Sequence, residues 1–423
     1  MSQDPSTGNH SDFDAIVVGA SLAGCTAATL LGRAGLNVAL VESQKDPAAH
    51  KKLCTHFIQP SATPTLQRLG VTDELEAAGA IRNGISMWTR FGWIKVRAEE
   101  YDGVPAYGYN IRRSVIDPIV RRTAAETDGV RLMLGTTVRE LVKQGDRIGG
   151  VKAETDGETI ELRAPLVVAA DGRHSRLAEL AGSEPKLSRN DRFGYFAHYR
   201  GVKLDDAEGS SGQMWLLEPA AAYTFVNDDG VTLLTYLGPK SELADFKKDP
   251  AGNLLRKFGE LPGAPDLSQA EQVSEIRGMT DIPNRRRKPT AQGMAFIGDA
   301  AIASDPLWGI GCGWALQSAG WLVDSVARPL AGGDESAIDS GLKTYAKLHR
   351  KGLSAHDWFV RDFSKERKFN PIEKLLFKAA VNDQEFAHKF HAFGARMIAP
   401  SKFMTPRNIA HAVRASRAAK SPA

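Results

Sequence analysis

Residues 13–42 read FDAIVVGASLAGCTAATLLGRAGLNVALVE. An apolar run, 13–18, stops at Gly19. An alanine- and leucine-rich stretch with helical spacing follows at 22–33, and a second apolar run, 38–42, ends in Glu42. Strand, glycine turn, helix and strand within 30 residues make a β-α-β unit. Inside it, Gly19-Ala20-Ser21-Leu22-Ala23-Gly24 follows the dinucleotide fingerprint with Ser21 in place of the second glycine. Gly19 permits the tight turn, Gly24 lets helix and strand pack closely, and the helix N-terminus offers bare N–H groups to a pyrophosphate. Glu42, 18 residues beyond Gly24, is placed to accept hydrogen bonds from ribose hydroxyls. By itself the motif does not separate NAD from FAD.

Two later stretches repeat the pattern of an apolar strand ending in a carboxylate. At 167–175, VVAADGRHS, the strand ends in Asp171-Gly172 before a basic turn. At 293–323, GMAFIGDAAIASDPLWGIGCGWALQSAGWLV, the strand stops at Gly298-Asp299; Pro306, the alternating Gly309, Gly311 and Gly313, and an apolar helix follow. A carboxylate there can hold a polyol chain. The positive end of the glycine-led helix suits a ring edge that becomes negative on reduction. Residues 306–323 carry no charge, but the proline and glycines make them a loop entering a buried helix rather than a membrane span.

Bulk properties bound the rest. At 423 residues, with 42% hydrophobic and 25% charged residues, the chain reads as an ordinary soluble protein of two or three domains. The scattered Cys25, Cys54 and Cys312 form neither a disulfide framework nor a metal cluster, so a reducing, cytoplasmic setting and no metal are expected. The polar residues 1–12 lack the apolar core of a signal peptide. From residue 331 onward there are 17 Lys+Arg against 9 Asp+Glu, which leaves the body acidic; no nucleic-acid partner is expected. That basic tail reads as a helical cap with solvated charges. A second reading is a peripheral membrane or carrier-protein contact through 343–378, where Trp358, Phe359, Phe363 and Phe377 interleave with the charges. Residues 195–237, rich in aromatic and β-branched side chains, predict a separate, mostly antiparallel sheet, and 250–265 reads as loop-rich.

The three motifs, in this order and spacing, resemble the class A FAD-dependent monooxygenases, the p-hydroxybenzoate-hydroxylase-like flavoproteins. The resemblance covers roughly residues 12–330. It implies that Gly19, Ser21, Gly24 and Glu42 bind the ADP half of FAD, that Asp171 and Gly172 serve both FAD and NAD(P)H, and that Gly298 and Asp299 contact the ribityl chain. Pro306, Gly309, Gly311 and Gly313 would lie beside the isoalloxazine, and Arg113, in Arg113-Ser114-Val115-Ile116-Asp117, near the FAD. The implied architecture is α/β. A Rossmann-like three-layer FAD-binding domain is assembled from 12–80, 105–182 and 275–330. A β-sheet substrate domain takes 81–104 and 183–274, and a C-terminal helical region 331–423. Three positions depart from the family where ring and substrate meet: Ile302 replaces a common His, Gly313 a common Asn, and Trp308 is bulky.

The implied reaction is monooxygenation: NADH or NADPH reduces FAD, and one oxygen atom of O2 passes to an apolar or aromatic small molecule, in secondary metabolism by family association. No second dinucleotide fingerprint is present, so NAD(P)H is expected to bind transiently. A reductase or dehydrogenase similar to geranylgeranyl reductases stays open, because Lys52-Leu53-Cys54-Thr55 and Tyr223-Thr224-Phe225-Val226-Asn227 partly echo motifs of those enzymes. A flavin-dependent halogenase is a further alternative, although its Trp-x-Trp-x-Ile-Pro motif is missing. No catalytic base stands out. His56 lies in a loop that the family brings near the flavin and is the candidate, a structural histidine being the other reading; Trp308 is the candidate for the substrate pocket.

Overall fold

A computed structural model describes residues 13–204 and 211–417; the polar stretch 1–12 lies outside them. The 13–42 unit forms as expected: β1 (Ala15–Val18), α1 (Leu22–Arg33) and β2 (Val38–Glu42). α2 (Arg113–Ala125) leads to β3 (Val130–Leu134); then come β4 (Leu166–Ala169), β5 (Thr290–Ala291), β6 (Met294–Phe296) and the long α3 (Ile310–Gly332). The sheet order is β3-β2-β1-β4-β6-β5, parallel except for the edge strand β5. The chain winds outward from β1 to β3 and then returns to the other side of β1 with β4. The order therefore reverses between β1 and β4, and the crevice beyond their C-terminal ends is where such sheets bind ligands.

Alternation along each strand sorts the two faces. Ala15, Val17 and Leu40 face α1, α2 and α3, whereas Ile16, Val18, Ala39 and Val41 face a three-stranded antiparallel sheet of Thr136–Gln144, Arg147–Thr155 and Glu158–Arg163. Strands buried on both faces are apolar at every position rather than at every second one. Each valine, leucine and isoleucine among them contributes about 1.5–3 kcal/mol relative to exposure. The result is the three-layer, Rossmann-like α/β arrangement that the sequence implied.

The second sheet is the expected, mostly antiparallel one. It runs Glu271–Gln272, Arg192–Arg200, Thr232–Pro239, Ala221–Val226, Gly212–Leu216, Ile85–Thr89, Gly92–Ile94, with Ile85–Thr89 parallel to its neighbour Gly212–Leu216. One point differs from the sequence reading. Residues 250–265 are not all loop, because Pro250–Gly259 is a helix. Pro250 stands at the first helical turn, where its missing N–H costs nothing, and the Asp249 carboxylate accepts from the Gly252 N–H. Leu254 and Phe258 bury against Trp215 and Tyr236 on the outer face of the sheet.

The tail is helical: α4 (Glu335–Phe363), α5 (Pro371–Asn382) and α6 (Gln384–Gly394), then a single turn, Pro400–Phe403, and a last helix, Pro406–Arg417. A reciprocal capping box of Asn370 and Glu373 starts α5. Phe377, Phe386, Phe390 and Phe403 pack with Met214, Tyr223 and Phe225 on the inner face of the second sheet. Of the four aromatic residues that the sequence placed among the charges, Phe377 is buried and Phe363 stacks on Phe369, whereas Trp358 is 56% exposed. No described helix is long and apolar enough to cross a membrane.

Candidate functional site

A cavity of about 1520 Å³ opens beyond β1 and β4. Glycines that admit no side chain shape its floor: at Gly19, on the lining, a Cβ would lie 2.5 Å from the Ala170 carbonyl oxygen, and at Gly24, behind it, a Cβ would lie 1.8 Å from the Gly19 carbonyl oxygen. Helix α1 starts at Ser21 with no side-chain cap, so its first N–H groups point into the cavity unused. Glu42 stands at the end of β2; its Oε2 accepts from the Ala20 N–H at 2.8 Å and its Oε1 from the Gln44 N–H at 3.0 Å, which fixes the carboxylate and leaves lone pairs for a ligand.

Ser21 has a partner the sequence does not reveal. The Arg113 guanidinium, at the start of α2, donates to Ser21 Oγ at 2.6 Å and holds Asp117, one turn on, at 2.7 and 2.9 Å. Arg113 and Asp117 are 3% and 0% exposed, so this is a buried, bidentate ion pair. Arg121, one further turn along, ties α2 to the fingerprint by donating to the Ala20 carbonyl at 2.8 Å. Arg113 thus sits where fingerprint, α2 and the loop after β2 meet.

Asp171 and Gly172 line the opposite wall. The Asp171 Oδ2 accepts from Leu177 N–H at 3.0 Å, whereas Oδ1 is buried with no partner, and burial raises its pKa. Asp299 reaches the cavity from the turn after β6 and pairs with Lys51 at 2.6 Å. Burial pushes the Asp299 pKa up, but Lys51 outweighs it and the net shift is downward. The loop Pro306–Trp308 closes the far end. Gly309, at φ +59°, could not carry a Cβ, which would fall 2.4 Å from the Phe57 ring. Asp305, which sequence reasoning passed over, anchors this loop: its carboxylate accepts from the Leu307 N–H at 2.9 Å and faces buried Arg192 at 3.4 Å. An aspartate directly before a proline is a turn-initiating signal and was readable as such.

Of the residues proposed from sequence to hold the cofactor, Gly19, Ser21, Glu42, Arg113, Asp171 and Gly172 line this one cavity together with Asp299, Pro306, Gly309 and Gly311. Three do not. Gly24 and Gly298 lie behind the wall as close-packing positions, and Gly313 faces Gln59 and Ala62 on the other side of α3. Lys51, Cys54, Arg173 and Cys312 line the cavity in addition.

His56 stands apart from the lining. Its Nδ1 accepts the Arg113 backbone N–H at 2.9 Å, capping α2, and its ring meets His198 edge-on at 4.8 Å. Burial, with His198 and Arg113 nearby, holds its pKa well below the usual 6.5, and burial lowers His198 to about 4. The unfolded chain therefore binds more protons than the fold below about pH 6.5, so this stability is complete above 6.5 and is lost as pH falls. Thermal melts between about pH 7 and 5 are expected to show a falling Tm, with a shallower fall in a His198→Leu variant. An unchanged slope in that variant would count against this cause.

A second, small cavity of about 70 Å³ lies on the other side of the Pro306–Trp308 loop. Phe57, Ile85, Met87, Ile94 and Val96 line it with Met214 and Trp308, and α6 covers it through Phe390 and His391. Gln59 ties loop to cover, donating to the carbonyls of Trp308 at 3.0 Å and Gly394 at 3.3 Å.

The residues present fit a flavin dinucleotide: a cradle that only glycine can form, free N–H groups at a helix start, an orphaned carboxylate oxygen and a volume above the roughly 300–1,000 Å³ of drug-sized sites. Fold and site together define a nucleotide-cofactor protein built on a Rossmann-like sheet. Residues 12–352 match the family model described as FAD binding domain, and the chain belongs to that family. It is 26% identical over 383 residues to digeranylgeranylglycerophospholipid reductase of Methanothrix thermoacetophila, covering 88% of this chain and 92% of that one. It is 25% identical over 369 residues to squalene epoxidase erg1 of Schizosaccharomyces pombe, covering 81% of this chain and 76% of the other. The structure of flavin-dependent brominase Bmp2 shares the fold, with a TM-score of 0.78 at 18% identity over 95% of this chain and 98% of that one. The protein is an FAD-dependent oxidoreductase; the curated relatives named above are a reductase and an epoxidase, and the brominase shares its fold.

Proposed function

We propose that the protein is an NAD(P)H-dependent monooxygenase acting on an apolar or aromatic small molecule. The observation that supports this reading is the apolar lining of the chamber between the Pro306–Trp308 loop, the second sheet and α6, a space of about 70 Å³ that has to widen to take such a molecule. Bound FAD would supply electron transfer and oxygen activation. In this reading the start of α1, with Gly19 and Ser21, holds the pyrophosphate, Glu42 the ribose, Asp299 the ribityl chain, and the loop from Pro306 to Gly311 the ring. Arg113 positions Ser21. The chamber's apolar walls orient the substrate and exclude water. His391 adds no charge there, since burial lowers its pKa to about 4.

A reductase reading has its own support in the archaeal relatives and in Cys54, which sits beside Arg113 at the cavity wall. One experiment separates the two. Holoenzyme is given NADH or NADPH under 18O2 with squalene, geranylgeraniol, indole or naphthalene as probes, and products are read by mass. A product carrying one 18O atom supports oxygenation; a product heavier by two hydrogens, with no label, overturns it in favour of reduction. Trp308→Ala, which removes one wall of the chamber, is expected to lower kcat/KM for an accepted probe at least tenfold, about 1.4 kcal/mol, while FAD content stays unchanged.

A further inference from the structure

Two cysteines, 258 positions apart in sequence, meet at the wall of the flavin cavity. Cys54, in the loop after β2, and Cys312, in the first turn of α3, have their sulfurs 3.6 Å apart. A disulfide needs about 2.05 Å, so closing the pair takes a shift of roughly 1.5 Å. Their surroundings push the two thiols in opposite directions, Cys54 toward the thiolate and Cys312 toward the thiol. The contact with Cys312 first, then Arg113 Nη1 at 3.7 Å, Lys51 and the His56 N–H at 3.3 Å, hold the Cys54 thiol below its ordinary value against the opposing effect of burial. The Cys312 thiol is held well above its ordinary value, first by its bond to Cys54 and then by burial. A thiolate facing a thiol, at a helix N-terminus and beside an arginine, is the arrangement in which cysteines exchange electrons. Cys25, buried in α1, lies outside the cavity lining and serves as an internal reference.

We propose that Cys54 and Cys312 are a redox couple that exchanges two electrons with the FAD held in the same cavity. In the forward direction the Cys54 thiolate and the Cys312 thiol form one S–S bond and release two electrons and the Cys312 proton. Oxidised FAD takes up both electrons and one proton to become FADH⁻, so charge and atoms balance. The reverse step reduces the disulfide from FADH⁻, and a small dithiol can reset the pair from outside. This rests on the FAD site and not on the oxygenation reading.

The test counts thiols and electrons. Purified holoenzyme is treated with diamide, desalted anaerobically, alkylated and digested without reductant. The expected result is a cross-linked peptide joining Cys54 and Cys312 and a fall from three free thiols to one. Anaerobic dithionite titration is then expected to take four electrons per flavin in the disulfide form and two in the dithiol form, because flavin and disulfide each accept a pair. This comparison lies within the wild type and needs no variant to fold. Cys54→Ser and Cys312→Ser are expected to take two electrons after either treatment, and the cross-link in apoprotein is expected to survive the same dithionite. Absence of the cross-link, two electrons per flavin in the cross-linked wild type, or equal loss of the cross-link without FAD would each overturn the proposal. A protein that takes four electrons yet yields no oxygenated product removes the monooxygenase reading and leaves this one standing.

Discussion

Gly24→Ala is expected to cost the protein its cofactor and several kcal/mol of stability. The added methyl would lie 1.8 Å from the Gly19 carbonyl oxygen and 3.2 Å from the Ala170 methyl group. Ordinary overpacking costs about 1–3 kcal/mol when side chains can move aside. Here the obstacle is backbone at the crossing of α1 and β1, so relief requires moving the helix off the sheet, and the N–H groups at its start move with it. Gly311→Ala is the matched contrast. Its methyl meets only the Asp299 Oδ1, at 3.9 Å, and faces the open cavity. Apoprotein melts and the flavin-to-protein absorbance ratio separate the two cases. Gly24→Ala is expected to lower both, and Gly311→Ala to spare the melt while weakening FAD retention at least tenfold. A Gly24→Ala protein with wild-type flavin content would refute the close-packing role.

Arg113→Met is expected to be the second large loss. It strands the Asp117 carboxylate, which is fully buried, and breaking a buried pair from one side costs about 3–5 kcal/mol. Ser21 Oγ loses its donor in the same step. Adding Asp117→Leu removes the stranded charge and is expected to restore most of the stability. The recovery stays incomplete by about 1 kcal/mol, since the Lys51 N–H, which donates to Asp117 at 3.0 Å, loses its acceptor. Flavin retention is expected not to return in the double variant, because the proposed role of Arg113 is to position Ser21 at the pyrophosphate. Full recovery of FAD binding in that variant would make Arg113 a purely structural residue.

The readable parts of this protein share a physical trait: they are local. The 13–42 unit announces itself through apolar runs and glycines whose demands are set by neighbours a few residues away, and so do the strand ends at Asp171 and Asp299. The helix Pro250–Gly259 was misread for the converse reason. A proline's meaning depends on whether it opens a helix or interrupts one, and burial of Leu254 and Phe258 against a distant sheet decided that. His56 offered an imidazole in a promising loop; the fold spends its Nδ1 on capping α2. Gly313 continued a periodic glycine pattern, but the two residues from Gly311 turn a position by about 200° around a helix, which carries it from the cavity to the Gln59 side of α3.

By itself, then, the sequence determined the sheet's nucleus and the order of the three strand-carboxylate motifs, because backbone turns and strand periodicity are written in short windows; the kind of cofactor came with the family that those motifs resemble. Only the tertiary structure decided what meets across the cavity. Arg113 reaches Ser21 from 92 positions away, Lys51 pairs with Asp299 across 248, and Cys54 faces Cys312 across 258. Such separations leave no trace in local pattern, since chain order does not encode which strand ends converge at a reversal of the sheet. Packing of the whole chain brings them within a few ångströms, and the protein's own chemistry rests on those contacts.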